Sequence, residues 1–282
     1  MPDSNAGALV LPLEPVNKGE QCCSYRLFEY NSEMTCASLY LLLLCERCEK
    51  HLRNDKFQIS NLDIAAYIDH TILKPDTAIA DVERLCGEAI EYNFAAVCVP
   101  PLYVKKAVQL LAGSTVKTAT VIGFPFGYSA IEAKLAEVVL AIVDGADELD
   151  MVMNIAAVKN NDWQFIASEI NAILPVIRNK NRVIKVIIET GMLTTDEIIK
   201  CCELYGAAGI DFLKTSTGYN GKGATVEAVQ LMRQHLPPHI QIKASGGIRS
   251  FTFACELLSA GASRIGCSSS IDIVMQSHQK PV

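Results

Sequence analysis

From about residue 60 onward the chain alternates two textures. Short apolar runs rich in β-branched residues read as buried strands: "AYIDHTI", "AAVCV", "KTATVIGFP", "ELDMVMN", "RVIKVIIET", "DFLKTST", "IQIKASG" and "RIGCSS". Between them, apolar residues recur every three to four positions. Examples are "TAIADVERLCGEAIEYN", "IEAKLAEVVLAIVDGA", "TTDEIIKCCELYGAAG" and "TVEAVQLMRQHL", which read as amphipathic helices. Several helices run out at glycine, in "DGAD", "YGAAG" and "SAGAS", where a left-handed C′ residue is favoured. Eight strand–helix pairs over about 210 residues predict an α/β fold of the (β/α)8, or TIM barrel, type. A doubly wound open sheet is the alternative, but no G-x-G-x-x-G follows the first strand. "GYNGKGAT" lacks the P-loop spacing as well.

The boundaries drawn from this texture are an extension at 1–58, the barrel at 59–275 and a tail at 276–282. The extension carries five cysteines and no clear period, and a poorly ordered segment is the preferred reading. Its "CERC" at 45–48 is half of a zinc motif, with no second CxxC or HxxxH to complete it. The 282 residues are 50% hydrophobic with a net charge of −6, enough apolar material for a sizeable core. That acidity speaks against a nucleic-acid partner. No apolar run, "LYLLLLC" at 39–45 included, approaches the ~18 residues of a membrane span, so no membrane association is expected. Eleven cysteines are spread over the chain, several of them in helix-like patterns (Cys86, Cys201, Cys202 and Cys255), which suits a reducing cytoplasmic compartment better than a disulfide scaffold.

In such a barrel the chemistry projects from the C-terminal ends of the strands. Three Gly/Ser turns, "TSTG" (215–218), "SGGIRS" (245–250) and "GCSSS" (266–270), follow the last three strands. Glycine lets backbone N–H groups approach an anion, and helix N-termini favour negative charge, so these turns predict a phosphate cradle. Its candidates are Gly218, Gly246, Gly247, Gly266, Ser268 and Ser269, with Arg249 adding charge. Tight turns and helix caps need the same residues, and one such turn alone would mean little. Period-two alternation places Glu148, Asp150 and Val152 on one face of their strand, so Asp150 can point inward, where it needs a cationic partner. Asp69 and Thr71 end the first strand, and Cys98 ends the second. His70 points away from Asp69, and no other histidine ends a strand, so no metal site is expected. Three strand lysines compete for a reactive role. Lys185 lies early in its strand and hence lower in the barrel, whereas Lys214 and Lys243 are each followed at once by a turn. A lysine beside a phosphate cradle suits imine formation, and strand position leaves open which of these two attacks.

At these residues the sequence closely resembles the deoxyribose-phosphate aldolase family of metal-independent class I aldolases. The resemblance spans about residues 60 to 272 and rests on "IDHTILKPD", "AVCVPP", "VIGFPFG", "GADELDMVMN", "KVIIETG", "FLKTSTG" and "KASGGIR". It implies a (β/α)8 barrel that needs no cofactor. The implied reaction is reversible cleavage of 2-deoxy-D-ribose 5-phosphate to D-glyceraldehyde 3-phosphate and acetaldehyde. It implies Lys214 as the Schiff-base lysine, Lys243 as the neighbour that tunes it and Asp150 as the proton relay. Asp69, Thr71, Cys98 and Lys185 are then substrate-binding, with Gly218, Gly246, Gly247, Ser268 and Ser269 on the phosphate. Two departures stand out: Tyr219 follows "TSTG", where some members carry lysine, and the tail "IDIVMQSHQKPV" lacks the terminal tyrosine of some members. Self-association into a homo-oligomer is left open. Two rivals stay in view. Another lysine-dependent sugar-phosphate aldolase would prefer a ketone donor, and a non-catalytic sugar-phosphate-binding barrel would never trap a covalent adduct.

Overall fold

The computed structural model describes residues 63–278; the "CERC" stretch and the 1–58 extension lie outside the described residues. Eight parallel strands close into a barrel in chain order. They are β1 (Ile68–Thr71), β2 (Ala96–Val99), β3 (Lys117–Ile122), β4 (Glu148–Val152), β5 (Val183–Ile187), β6 (Phe212–Lys214), β7 (Gln241–Ser245) and β8 (Arg264–Cys267). Closure is made by β8 pairing with β1, Asp69 opposite Gly266. Each strand is shorter than the run that announces it. In "KTATVIGFP" the ladder stops at Ile122 because Gly123 turns the chain at φ 61°, under the Lys134 side chain, which would collide with any Cβ there.

The helices are α1 (Ile79–Glu91), α2 (Val104–Leu110), α3 (Ile131–Val143), α4 (Ile155–Lys159), α5 (Trp163–Arg178), α6 (Thr195–Ala208), α7 (Val226–His235), α8 (Phe251–Ser259) and α9 (Ser270–His278). Polar side chains start many of them: Asn154, Asp162, Thr194, Thr225 and Ser250 each accept from a backbone N–H three residues on. Thr194 and Glu197 complete a capping box. Helix α5 carries Pro175, an exposed residue, in its last turns. Helix α9 runs to His278, across the 275/276 boundary drawn from the sequence.

Alternation sorts the strand residues into two sets. One set faces the helices: Leu149, Met151, Ile184, Val186, Leu213, Ile242 and Ile265 join Ile166, Ile170 and Ile173 of α5 in one apolar shell. The other set fills the barrel. On β2 and β3 it is small and apolar, with Ala96, Cys98, Ala119 and Val121 packed together. On β4 to β8 and on β1 it carries the charges of Glu148, Asp150, Lys185, Lys214, Lys243, Arg264 and Asp69.

Candidate active site

Barrel strands carry their inward side chains in layers, and register decides which meet. Asp150 of β4 pairs in register with Lys185 of β5, two residues below Ile187, which pairs with Lys214 of β6. Lys214 pairs directly with Lys243 of β7, and Lys243 with Arg264 of β8. Four cations and three carboxylates therefore share the interior: Lys185, Lys214, Lys243 and Arg264 with Asp69, Glu148 and Asp150. The interior holds more cations than anions when all are ionised.

The compensation is unequal. Lys185 meets three carboxylates, bonding Glu148, reaching Asp150 at 2.9 Å and lying 3.5 Å from Asp69. Lys243 meets two, Asp69 and Asp150, the latter at 2.7 Å. Arg264 meets Asp69 at 2.6 Å and Glu148 at 3.3 Å. Among the described residues Lys214 pairs only with Asp150, at 2.7 Å, and shares the Asp150 Oδ2 with Lys243. Two ammonium groups ~5 Å apart at an effective dielectric of ~20 repel by roughly 3 kcal/mol, so an amine with a single shared carboxylate is poorly held in its charged form. The titration tendencies follow. Burial lowers the Lys214 pKa, Asp150 only partly offsets this, and Lys243 adds to the depression. Burial works against Lys243 too, but Asp150 and Asp69 outweigh it and the net shift is upward. For Lys185, Asp150, Glu148 and Asp69 overcome burial more strongly still. Burial opposes ionisation of Asp150, yet its three lysines hold it well below the usual carboxylate range. Asp69 is held low in the same way, chiefly by Lys243.

Above this layer opens a chamber of about 280 Å³. Its walls include Thr71, Lys214, Gly218, Gly246, Gly247, Arg249, Gly266 and Ser268, which brings most of the sequence-predicted residues together. Of the four interior cations, Lys214 alone lines the chamber. Gly218, Gly246 and Gly247 take φ of 86°, 91° and 75°, in the left-handed region that glycine supplies. Gly266 serves a second purpose. A Cβ there would lie 2.9 Å from Lys243 Cε, so its absence makes room for the Lys243 side chain to lie under the chamber.

Other predicted residues lie elsewhere. Lys185, expected among the substrate-binding groups, is instead fully buried, bonded to carboxylates beneath the chamber and absent from its walls. Asp69 and Cys98 are fully buried too, Asp69 because Lys243 and Arg264 occupy its carboxylate. Burial raises the Cys98 thiol to about 11, leaving it protonated at neutral pH. Thr71 turns its hydroxyl to Asp69 O at 2.8 Å. Ser269 is half-buried behind Ser268 and outside the chamber wall. His70 points outward, as alternation requires, to Ser270 at 2.9 Å and Glu88 at 2.7 Å.

Sequence reading passed over Arg264, named Tyr219 only as a departure after "TSTG", and gave Glu189, at the end of the β5 run, no role. Arg264 could have been found by counting back two residues from Gly266, which puts both on the inner face. Tyr219 lines the chamber and donates its hydroxyl to Leu73 O at 2.8 Å, spanning from the β6 turn to the β1 turn. The place of Glu189 after its strand is readable, but its role is not, because its partners lie on the β6 turn.

Comparison with known proteins shows the family of the chain. Residues 64–274 match the family model for DeoC/LacD family aldolases. A curated relative, the deoxyribose-phosphate aldolase of Clostridium perfringens, is 50% identical over 210 residues, covering 74% of this chain and 93% of the relative. The deoxyribose-phosphate aldolase of Thermococcus gammatolerans is 50% identical over 215 residues, covering 76% of this chain and 96% of its own. Among solved structures, the tetrameric deoxyribose phosphate aldolase of Aeropyrum pernix superposes with a TM-score of 0.72 at 30% identity, covering 80% of this chain and 99% of that one. The chain belongs to the DeoC/LacD family of aldolases.

Proposed function

We propose that this aldolase reversibly cleaves 2-deoxy-D-ribose 5-phosphate to D-glyceraldehyde 3-phosphate and acetaldehyde, with Lys214 as the imine-forming lysine. One observation carries the assignment: Lys214 is the interior cation that both lines the chamber and has a single, shared carboxylate. Its depressed pKa supplies neutral amine at lower pH than a free lysine would. The amine adds to the C1 aldehyde of the open-chain sugar, and loss of water leaves a protonated imine. A base takes the proton of the C3 hydroxyl, the C2–C3 bond breaks, and its electron pair moves to the imine to give an enamine. Glyceraldehyde 3-phosphate departs. Protonation at C2 and hydrolysis then release acetaldehyde and restore the amine.

Asp150 sits beside both amines and stays ionised, which suits it to orient Lys214 and to relay protons. Lys243, charged and anchored by two carboxylates, opposes protonation of its neighbour. The Gly218, Gly246 and Gly247 backbone, Ser268 and Arg249 are assigned to the phosphate. Asp69, Cys98 and Lys185 act from beneath: Asp69 and Lys185 hold Lys243 and Asp150, and Cys98 packs against the apolar wall. A reducing cytoplasmic setting is part of this reading, supported by six buried free cysteines among the described residues. So is a homo-oligomer, by analogy with the tetrameric relative. Residues 1–58 are read as an extension dispensable for the chemistry.

The test is borohydride reduction in the presence of acetaldehyde, followed by peptide mapping. The adduct is expected on Lys214; an adduct on Lys243 or Lys185, or none, overturns the assignment.

A further inference from the structure

We infer that Glu189 is a positioning residue for phosphate recognition, its buried carboxylate holding the Thr217–Asn220 turn in the shape that offers Gly218 to the anion. This rests on the phosphate reading proposed above. Glu189 follows β5 with φ 55° and ψ 62°, a left-handed conformation that is unfavourable for a residue with a Cβ. Such a backbone persists where the surroundings over-determine it. The side chain is 1% exposed, and among the described residues no cation forms an ion pair with it. A carboxylate so placed must find neutral donors. They all come from one turn.

Thr217 donates its backbone N–H to both Glu189 oxygens, at 3.3 and 3.2 Å, and its hydroxyl to Oε2. Asn220 Nδ2 donates to Oε2 at 3.1 Å. The Thr217 hydroxyl in turn accepts from the Tyr219 N–H at 3.1 Å. One carboxylate thus orders the turn on both sides of Gly218. The same turn is tied outward by Asn220 to Pro125 O at 3.3 Å and by Tyr219 to Leu73 O at 2.8 Å. Gly218 stands exposed between these anchors, and a Cβ on it would lie 3.6 Å from Gly246 Cα, so two glycine turns of the cradle meet here. Glu189 itself lies outside the chamber wall and bonds none of the reactive lysines. Its action is through placement.

Charge and placement predict opposite signs. A buried negative charge behind an anion site repels the phosphate, so if charge dominated, Glu189→Gln would tighten binding. If placement dominates, the glutamine can keep the three bonds at the Oε2 position only by setting an N–H group against the Thr217 N–H at the Oε1 position, and the turn loosens. The experiment compares steady-state kinetics on deoxyribose 5-phosphate and on unphosphorylated deoxyribose, using the full chain and Glu189→Gln, Asn220→Ala and Gly247→Asp. Glu189→Gln is expected to raise KM for the phosphorylated sugar ~10-fold or more while kcat/KM for deoxyribose stays within ~3-fold. Asn220→Ala, which removes one donor, is expected to raise the same KM by ~3-fold. Both should still trap acetaldehyde with borohydride. Equal losses on both sugars, or an unchanged or lower KM for the phosphate, overturn the inference when Gly247→Asp still separates the substrates. If Gly247→Asp fails to separate them, the phosphate reading falls and this inference with it. Should Glu189→Gln not yield soluble protein, Asn220→Ala decides by the same criterion.

Discussion

The same eight strands build two regions with opposite physics. Facing the helices, Leu149, Met151, Ile184 and Val186 are fully buried against the isoleucines of α5. Facing the barrel axis, their chain neighbours Glu148, Asp150 and Lys185 are as deeply buried and are charged. The shell gains about 25 cal/mol for each Å² of apolar surface removed from water. The interior has no such gain. Taking charges out of water costs several kcal/mol per ion, and even good pairing does little more than offset it. A barrel built for stability alone would fill its axis with apolar side chains, as β2 and β3 do with Ala96, Cys98, Ala119 and Val121. The difference teaches where function resides: the shell supplies stability, and the charged half of the interior spends some of it to keep one amine poorly compensated.

If that division is correct, substitutions in the two regions should damage different quantities. The largest effect is expected from Lys214→Arg, which keeps the charge but cannot form an imine. Turnover should fall on the order of 10⁴-fold or more, with no borohydride-trapped adduct. Asp150→Asn comes next. It preserves shape while removing the charge that pairs three lysines, so kcat should fall by ~10²-fold or more. Near-normal turnover would reduce Asp150 to a structural partner. A comparable free energy removed from the shell should leave chemistry alone. Ile173→Ala, fully buried on α5, is expected to cost ~2–5 kcal/mol in urea unfolding with kcat within about twofold. A large loss of kcat there would break the division.

Lys243→Leu sharpens it further. Without the neighbouring charge, Lys214 keeps Asp150 to itself and its pKa rises, so adduct yield at pH 7 should fall by roughly tenfold and recover at higher pH. An unchanged pH profile would show that Lys243 does not tune the nucleophile. The smallest effect is expected from deleting residues 1–55, since the family match begins at residue 64: turnover should stay within ~3-fold.

The interior should also leave a signature in stability against pH. Asp69 and Asp150 have folded pKa values below their unfolded ones. Their contribution is present above the unfolded value, near ~3.9, and is lost as pH falls through the folded values. Unfolding free energy should therefore decline below about pH 4, and the decline should be shallower in Asp150→Asn. Lys185 and Lys243 behave oppositely. Their folded pKa values are raised, so their contribution holds below ~10.4 and is lost as pH climbs through the folded values.

Much of this was legible in one dimension. Alternation in "ELDMVMN" puts Asp150 on the inner face, and the abrupt turn after Lys214 puts that lysine at the chamber. Strand β7, by contrast, runs on to Ser245 and leaves Lys243, read as a strand end like Lys214, beneath it. Gly218, Gly246 and Gly247 announce backbone that only glycine adopts readily. These are short-range consequences of pleat and φ/ψ, and neighbours in the chain are enough to read them. Which lysine is reactive is a different kind of fact. It depends on how many carboxylates each amine meets, and those contacts join residues far apart: Asp69 with Lys243 and Arg264, Glu148 with Arg264, Asp150 with Lys214. Only closure of β8 on β1 and the register of β4 through β8 bring them together, because Coulomb interactions in a buried site follow distance through space rather than separation along the chain. The strands and their inner faces belong to the sequence; the unequal sharing of charge that singles out Lys214 belongs to the closed barrel.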